Sequence, residues 1–381
     1  MSQNTYVGID SGGTRTNVAI LVEGGDGDRS ATYESGDSLS GALSPSLMSA
    51  TLRRMMAPLA RRLEDLGASS SEIYLWISAA GYTEWTRNDL IRAMEDALPA
   101  TGTVRAMGCA NDGISVLLGS RSDGIVIAGT GSTVIVRSKG GELVQAGGHE
   151  WVACDDGSGF WIGLNAIRAA YRDFASGTDS VLLQRFHQVY GIRSDDGRAF
   201  IAKLRDLAIA DSNMKKEIAR LAASVCDAAV RGDPAAQDIV KKHSEELADV
   251  SASLVRRQFS RSDLAAGISI IEVGGLLSNE LYRSSFESQL ELRLRSGLDE
   301  RAVITWHRAV TATSACIRLA KDLKEGNTEF LKLELAFRPA VVRPLPNLVL
   351  HVVTLLTGMW RARAWHLSAS LRPTDVPRGE A

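Results

Sequence analysis

Residues 8–17 read GIDSGGTRTN, between the apolar residues Tyr6 and Val7 and the apolar run VAILV at 18–22. Two adjacent glycines between predicted strands leave backbone N–H groups without a covering Cβ, so a ligand can approach them closely. Asp10, at the end of the first predicted strand, is placed to hold a hydrated cation. This stretch predicts a site for a phosphate and its metal, and by itself it leaves an ordinary β-hairpin turn open as the alternative.

The composition and charge of the chain limit its class. Its 381 residues are many for one hydrophobic core and predict two domains. A composition of 45% hydrophobic and 23% charged residues is that of an ordinary globular protein. The formal net charge of -2 gives no attraction to nucleic acid or to an anionic membrane, so neither is expected as a partner.

The cysteines and the start of the sequence indicate the compartment. No pair of cysteines has the spacing of a zinc or iron–sulfur site, which favours reduced thiols. No basic stretch followed by an apolar one opens the sequence, so we expect a cytoplasmic protein. The cysteines are Cys109, Cys154, Cys226 and Cys316.

The last part of the chain differs from the rest. Residues 325–381 contain five of the nine prolines and no lysine after Lys332, and we treat them as an atypical C-terminal tail without an assigned function. The apolar run at 345–360 is shorter than the ~20 residues of a membrane-spanning helix. We expect it to be an amphipathic or core-packing segment.

The first 115 residues alternate predicted strands and helices in the order β-β-β-α-β-α-β. β-branched and apolar runs indicate the strands, and apolar residues at three- and four-residue spacing indicate the helices. The last of these strands brings Asn111 and Asp112 to its carboxyl end. The segments are TYVGID, TNVAILVE, ATYESGD, a helix at 46–66 that contains Pro58, EIYLWISAAG, a helix at 87–98, and TVRAMGCAND.

A second set of similar signals begins at Asp123. The turn GTGS at 129–132 lies between the strands IVIA and TVIV, as the first glycine turn lies between its own two strands. A long helical stretch at about 199–258 follows, and then a strand that ends at a Gly-Gly turn. We therefore predict a duplicated domain, with an N-terminal half at 1–120 and a C-terminal half with a helical insertion at 121–324.

Five motifs follow one another along the chain. They are DSGGTRT (10–16), ANDG (110–113), AGTGS (128–132), AGGHEWVACDDGSGFWIG (146–163) and VGGLLSN (273–279). By these motifs the chain resembles the BadF/BadG-type ATPases of the acetate/sugar kinase–Hsc70–actin superfamily, which include N-acetylglucosamine kinases, over about residues 5–324. The resemblance implies an α/β fold of two RNase H-like (actin-like ATPase) domains, with mixed sheets flanked by helices, around a nucleotide and sugar cleft.

The resemblance also implies roles for individual residues. Asp10 holds Mg²⁺, which prefers oxygen ligands. Asp112 is the general base that takes the proton of a sugar hydroxyl, although an N-cap on the following helix is the alternative that the residue type leaves open. ATP is bound by Gly12, Gly13, Thr14, Thr16, Gly129, Thr130, Gly131, Ser132, Gly274 and Gly275, and the sugar by Asn111, Gly147, Gly148, Asp155 and Ser40.

The expected reaction is transfer of phosphate from ATP to an amino sugar, with the 6-hydroxyl of N-acetylglucosamine as the first candidate acceptor. The sugar segment departs from the family at Glu150 and Cys154, which replace glycines, and residues 36–44 lack the asparagine of the acetamido-sugar kinases. Glucosamine is therefore the second candidate. An ATP-dependent activator of an acyl-CoA dehydratase is the alternative of another class, but its cluster-ligating cysteines have no match here. A homodimer is compatible with the sequence.

Overall fold

The computed structural model describes residues 3–12, 15–25, 27–39, 45–80, 93, 97, 103–148, 153–209, 214–295, 302–308, 311–326 and 351–354. The strands are β1 Asn4–Ser11, β2 Thr16–Val22, β3 Arg29–Ser35, β4 Glu72–Ala79, β5 Thr103–Asn111, β6 Gly124–Ala128, β7 Ser132–Arg137, β8 Leu143–Gly147, β9 Ile268–Val273, β10 Ile304–His307 and β11 His351–Thr354. The helices are α1 Pro45–Asp65, α2 Asp112–Ser120, α3 Gly159–Ser176, α4 Val181–Tyr190, α5 Gly197–Ile209, α6 Met214–Val230, α7 Pro234–Gln258, α8 Arg261–Ala266, α9 Glu280–Arg295 and α10 Ala312–Glu325.

The two sheets of the described residues repeat one strand order. The first runs β11-β5-β4-β1-β2-β3 and the second β10-β9-β6-β7-β8. Each sheet contains an antiparallel hairpin, β1-β2 in the first and β6-β7 in the second. The first strand of the hairpin pairs parallel with a later strand, which is β4 in the first sheet and β9 in the second. That later strand pairs parallel with β5 and with β10, respectively. Apart from β11, each strand of the first sheet thus has a counterpart in the second. The predicted mixed α/β class and the predicted duplication are confirmed.

Burial along the strands follows from their places in the first sheet. The central strand β1 is buried along most of its length, which fits its nearly continuous run of apolar and small residues. The edge strand β3 alternates exposed and half-buried residues. Helix α1 covers the core with one apolar stripe that includes Leu52, Leu59 and Leu63, and it continues through Pro58.

Helices dominate the second unit, and local sequence signals fix several of their ends. Ser180 caps α4 by accepting a hydrogen bond from Leu183 N, and Asp233 caps α7 in the same way from Ala236 N. Ser260 and Asp263 form a reciprocal capping box on α8. The predicted helical stretch at 199–258 is thus three helices, α5, α6 and α7. The predicted helix at 87–98 lies outside the described residues except for positions 93 and 97, which are helical.

The chain divides into two compact units differently from the predicted domains. The first unit is 1–119 with 141–143 and 311–381, and the second is 120–140 with 144–310. Helix α10 therefore belongs to the first unit, whereas the sequence analysis placed it in the second half. The strand β11 pairs parallel with β5 of the first sheet and lies in the region predicted to be a tail.

Close backbone approach explains where α10 packs. A Cβ at Gly8 of β1 would lie 2.9 Å from Cys316 Cβ, and one at Gly119 of α2 would lie 2.6 Å from the carbonyl oxygen of Ala315. The Cys316 thiol also lies 3.5 Å from the carbonyl oxygen of Ile9. Small residues on β1 and α2 thus let α10 sit directly on the first sheet, about 300 positions away in sequence.

No helix of the described residues is both long enough and apolar enough to cross a membrane. The run at 345–360 is described only at 351–354, as strand β11.

We expect Gly119→Ala to lower the free energy of unfolding by about 1–2 kcal/mol. The overlap of its new Cβ with the backbone of Ala315 costs about 2–3 kcal/mol, and the preference for alanine over glycine inside a helix offsets ~1 kcal/mol of this. The matched control is Gly140→Ala, whose Cβ would meet only Ser138 Oγ at 3.7 Å and should leave stability unchanged or slightly higher. Denaturant unfolding measures both. Equal stability of the two variants would contradict the proposed packing of α10 on α2.

Candidate functional site

Polar residues meet where three parallel strands of the first sheet end. Asp10 of β1 is the register partner of Ser78 on β4, and Ala79 of β4 is the partner of Asn111 on β5. Ser78 Oγ donates a hydrogen bond of 3.3 Å to Asp10 Oδ1. Asp112 follows β5 directly and opens α2. The sheet thus brings together the predicted metal ligand and the predicted base, which are about 100 positions apart.

The two carboxylates Asp10 and Asp112 are difficult to ionise together. Burial raises the pKa of Asp10 first, and the nearby charge of Asp112 raises it further, while the hydrogen bond from Ser78 opposes both. Burial also raises the pKa of Asp112, although backbone N–H groups oppose the shift. Two buried acids of this kind provide a proton acceptor and a site that favours a cation.

Asn111 occupies the capping position that the sequence left open for Asp112. The N–H of Gly113 donates to Asn111 Oδ1 at 3.0 Å, which is the bond made by a residue immediately before a helix. The same N–H lies 2.9 Å from Asp112 Oδ1. Asn111 and Asp112 thus share this N–H, so α2 does not depend on the carboxylate of Asp112 alone as its cap. The capping alternative for Asp112 is therefore weakened.

The first glycine turn is tied to the segment that precedes α1. Gly12 N donates to Arg15 O at 3.0 Å, and the Ser38 hydroxyl donates to the Gly12 carbonyl. Leu39 N donates to Ser11 Oγ at 2.6 Å. The Ser38 side chain therefore holds the turn. Gly13, Thr14 and Ser40 lie outside the described residues.

Thr16, a predicted ATP ligand, has its side chain in the interior. It is fully buried, and its hydroxyl lies 2.9 Å from Ser11 Oγ and 2.9 Å from the carbonyl oxygen of Asp37. These contacts direct the hydroxyl into the interior, because Thr16 begins β2 on its buried face. The hydroxyl thus helps to hold the turn, and the contact of Thr16 with the nucleotide stays a prediction.

The second glycine turn lies at the start of α3. The carbonyl of Gly129 accepts from Gly159 N at 2.7 Å, and that of Thr130 accepts from Phe160 N at 3.1 Å. The positive end of the helix dipole is therefore directly beside the turn. An anion at the turn would be stabilised by this helix as well as by the backbone N–H groups of the turn.

The Gly-Gly turn after β9 packs against Ala128, directly before the second glycine turn. Gly274 has φ +113°, and a Cβ there would lie 2.2 Å from the carbonyl oxygen of Ala128, so this position requires glycine. Leu276 N donates to that carbonyl at 3.1 Å. A Cβ at Gly275 or at Gly129 would meet no atom within 4 Å. The predicted second phosphate motif and adenosine motif are thus adjacent, with open space at both.

The sugar segment turns around the buried carboxylate of Asp155. This side chain is 1% exposed, and its Oδ1 accepts from Gly148 N at 3.0 Å. Its Oδ2 lies 2.6 Å from Lys215 Nζ, on helix α6. Ser132 Oγ donates to the carbonyl of Asp156 at 2.7 Å, so this hydroxyl, predicted to contact ATP, holds the turn. Asp155 has φ +67°, a strained value for a residue with a side chain.

Other residues near this turn were missed by sequence reasoning. Lys215 lies in the helical insertion, and no motif pointed to it. Tyr282 donates from its hydroxyl to the carbonyl of Gly157 at 2.6 Å, and His243 lies beneath the same turn with Nδ1 2.6 Å from Glu246 Oε2. Their periodic positions on helices gave only a signal for the core. They brace the turn from behind.

Glu272 is a further buried acid close to the adenosine motif. Burial raises its pKa to about 7, although the guanidinium of Arg308 opposes this shift. Arg308 Nε donates to Glu272 Oε2 at 2.9 Å and its other end contacts Glu287. This cluster links Arg308, which directly follows β10, to Glu272 of β9, which lies two residues before Gly274. It positions the strand that leads into the turn.

The acidic pair of the first unit fits a magnesium ion. Mg²⁺ is usually bound by one or two carboxylates together with waters and the phosphates of a substrate. Asp10 and Asp112 offer two carboxylates whose ionisation burial opposes, so a cation would relieve a cost that the fold imposes. Among the described residues no group of three or more acidic, histidine or cysteine side chains forms a cage for a metal. The pair is therefore suited to an ion that arrives with ATP.

The architecture and the glycine turns define a class of protein. Two sheets of the same strand order, each opening on a glycine hairpin turn, are the arrangement of the actin-like ATPases. The sequence model of the BadF/BadG/BcrA/BcrD ATPase family matches residues 7–297. The chain belongs to this family.

Comparisons with individual proteins agree with this assignment. An N-acetylmuramic acid/N-acetylglucosamine kinase of Clostridium acetobutylicum is 26% identical over 249 residues, which are 63% of this chain and 76% of that protein. A solved structure from Chromobacterium violaceum, described as a candidate N-acetylglucosamine kinase, is 21% identical with a TM-score of 0.57 and covers 83% of this chain and 98% of its own. Another such candidate, from Porphyromonas gingivalis, is 16% identical with a TM-score of 0.56 over 85% and 100%. The two structures show the fold. With the family and the kinase relative, they make the chain an ATP-dependent phosphotransferase.

We expect Asn111→Ala and Asp112→Asn to have opposite effects on stability in the absence of magnesium. Loss of the cap at Asn111 should lower the free energy of unfolding by about 1 kcal/mol at any pH. Asp112→Asn should raise it at pH 7, because the buried charge is removed. An acid whose pKa is raised by folding lowers the free energy of unfolding once the pH exceeds its ordinary pKa of about 4. The stability gained by Asp112→Asn should therefore shrink as the pH falls towards 4.

Melting curves with a chelator at pH 4.5 and pH 7.5 measure these differences. If Asn111→Ala left the free energy of unfolding unchanged at both pH values, Asn111 would not cap α2.

Proposed function

We propose that this phosphotransferase is a sugar kinase that transfers the γ-phosphate of ATP to the 6-hydroxyl of an amino sugar, with N-acetylglucosamine as the first candidate. The observation that carries the proposal is the pair of buried carboxylates, Asp10 and Asp112, at adjoining strand ends. The kinase relative from Clostridium acetobutylicum, whose name contains this sugar, supports the choice of acceptor. The raised pKa values of both acids support their assignment to chemistry rather than to surface turns.

In the proposed reaction Asp112 is the general base. It accepts the proton of the sugar hydroxyl as the oxygen attacks the phosphorus, and its raised pKa makes it a better proton acceptor than an exposed aspartate. Asn111 caps α2 and fixes the first turn on which Asp112 lies. The amide nitrogen of Asn111, which the capping bond leaves available, is offered as a donor to the sugar.

Asp10 is the proposed magnesium ligand, through the carboxylate that Ser78 orients. Magnesium, when bound with ATP, neutralises charge on the phosphate oxygens. The protein's part is to place the carboxylates. Phosphoryl transfer is mostly positioning and charge neutralisation, so this arrangement is sufficient chemistry for a kinase.

ATP is proposed to contact the glycine turns of both units. The turn at 129–132 has the positive end of α3 behind it, which suits a phosphate, and Gly274–Gly275 adjoins it on the side proposed for the adenosine. Gly12, Gly13 and Thr14 are the proposed contacts of the first turn.

The sugar is proposed to bind at Gly147, Gly148 and Asp155. Two of the roughly four lone-pair positions of the Asp155 carboxylate are used by Gly148 N and Lys215, so others are available for sugar hydroxyls. Ser40, which lies outside the described residues, stays a proposed contact. Activation of a dehydratase is less well supported, because Cys109, Cys226 and Cys316 are buried and Cys154 alone is partly exposed.

The acceptor is tested by coupled measurement of ADP release with purified protein. We expect kcat/KM for N-acetylglucosamine to exceed that for glucose by at least about tenfold, since a binding site for the acetamide group discriminates through its hydrogen bonds. Glucosamine and N-acetylmuramate complete the series. ADP release that no sugar stimulates would overturn the sugar kinase assignment, and equal rates with glucose would overturn the amino-sugar preference.

The roles of the two acids are tested by Asp112→Asn and Asp10→Asn. Loss of the base should lower kcat by about 10²–10⁴-fold with little change in sugar affinity, because asparagine still accepts a hydrogen bond from the hydroxyl. Asp10→Asn should instead raise the magnesium concentration needed for half-maximal rate. Steady-state kinetics with magnesium titration measure both.

Asp195→Asn is the matched control for these variants, because Asp195 is an exposed acid paired with Arg193 far along the chain. It should leave kcat and the magnesium dependence unchanged. Turnover of Asp112→Asn within tenfold of the unmodified protein would remove Asp112 from the mechanism.

A further inference from the structure

The helical insertion contributes one cation to the turn proposed to bind the sugar. Lys215 lies on α6, and its Nζ is 2.6 Å from Asp155 Oδ2. The carboxylate is 1% exposed, while the lysine side chain is 26% exposed. The ion pair thus lies at the boundary between the interior of the second unit and its surface.

The same ammonium also lies beside the second glycine turn. A Cβ at Gly131 would be 2.8 Å from Asp155 Oδ2 and 3.1 Å from Lys215 Nζ. The pair is therefore packed against the backbone of residues 129–132 on one side and receives Gly148 N on the other. Its position is fixed by three separate segments of the chain.

An ion pair this close changes what Asp155 presents to a ligand. A lone buried carboxylate attracts cations, whereas an ammonium 2.6 Å away opposes part of that attraction for a charged group on a bound sugar. A protonated amino sugar would gain little from Asp155 and would be repelled by Lys215. A neutral acylated sugar has no such penalty.

We propose that Lys215 is a specificity-determining residue that makes the acceptor site reject protonated amino sugars in favour of neutral N-acylated ones. The inference rests on the proposed function, in that it takes the acceptor to bind at the turn of Asp155. Lys215 acts by cancelling the charge of Asp155 and needs no direct contact with the sugar. It selects against glucosamine, the second candidate acceptor.

The test is the ratio of kcat/KM for N-acetylglucosamine to kcat/KM for glucosamine, measured at a pH where the amine of glucosamine is protonated. Lys215→Met removes the cation and keeps the length of the side chain, and we expect the ratio to fall by about tenfold or more. Lys215→Arg keeps the charge and should keep the ratio within about threefold. A neutral reference sugar, glucose, controls for shape, because its rate relative to N-acetylglucosamine should not change.

Lys215→Met leaves a buried carboxylate unpaired, which destabilises the fold. A second pair of variants therefore tests the same proposal without depending on the stability of Lys215→Met. Asp155→Asn leaves the ammonium unpaired, and Asp155→Asn/Lys215→Met leaves neither charge. The overall rates of both will be lower, because Asp155 is a proposed sugar contact. The ratio should nevertheless be higher in Asp155→Asn than in the double variant, since only the former retains the cation.

The outcomes separate the two proposals. Ratios that stay the same in Lys215→Met, and are equal in Asp155→Asn and the double variant, would overturn the role of Lys215 and leave the sugar kinase intact. A rise in the KM for ATP without a change in the ratio would also overturn it, because Lys215 would then serve the phosphates. Unmodified protein that phosphorylates none of the three sugars would overturn the proposed function and this inference with it.

Discussion

The burial of two acidic side chains at the ends of adjoining parallel strands is the constraint on which the first unit depends. Asp10 and Asp112 lie where β1 and β5 end on either side of β4, and burial opposes the ionisation of both. Such a pair costs folding stability at neutral pH unless a cation compensates for it. The packing around it is correspondingly extensive: β1 is covered by α10, Asn111 holds the end of α2, and Ser78 orients Asp10.

The second unit uses the same topology for a different purpose. Its strand ends carry glycines rather than acids, at Gly129 and Gly274, and the start of α3 lies behind the first of them. Backbone N–H groups and a helix dipole lie where the first unit has carboxylates, and such an environment favours an anion rather than a cation.

Several hydroxyl groups near the glycine turns hold the backbone here. Thr16 and Ser38 hold the first glycine turn, and Ser132 holds the turn of Asp155. Buried hydroxyls need hydrogen-bond partners, and nearby backbone carbonyls provide them. The motifs therefore specify the shape of the turns at least as much as the contacts made to a ligand.

The sequence by itself determined the mixed α/β class, the duplication and the family. The fold class and the duplication follow from local signals, namely β-branched and apolar strands and glycine pairs at turns. The family follows from five short motifs and their order along the chain. Only the tertiary structure decided that α10 packs on the first sheet, because that contact depends on Gly8 and Gly119 approaching a helix about 300 and 200 positions away. Likewise Lys215 meets Asp155 only through the packing of α6, and Asn111 shares the N–H of Gly113 with Asp112 only through backbone geometry. Spacing along the chain contains no information about such contacts, since they are fixed by which surfaces the core brings together.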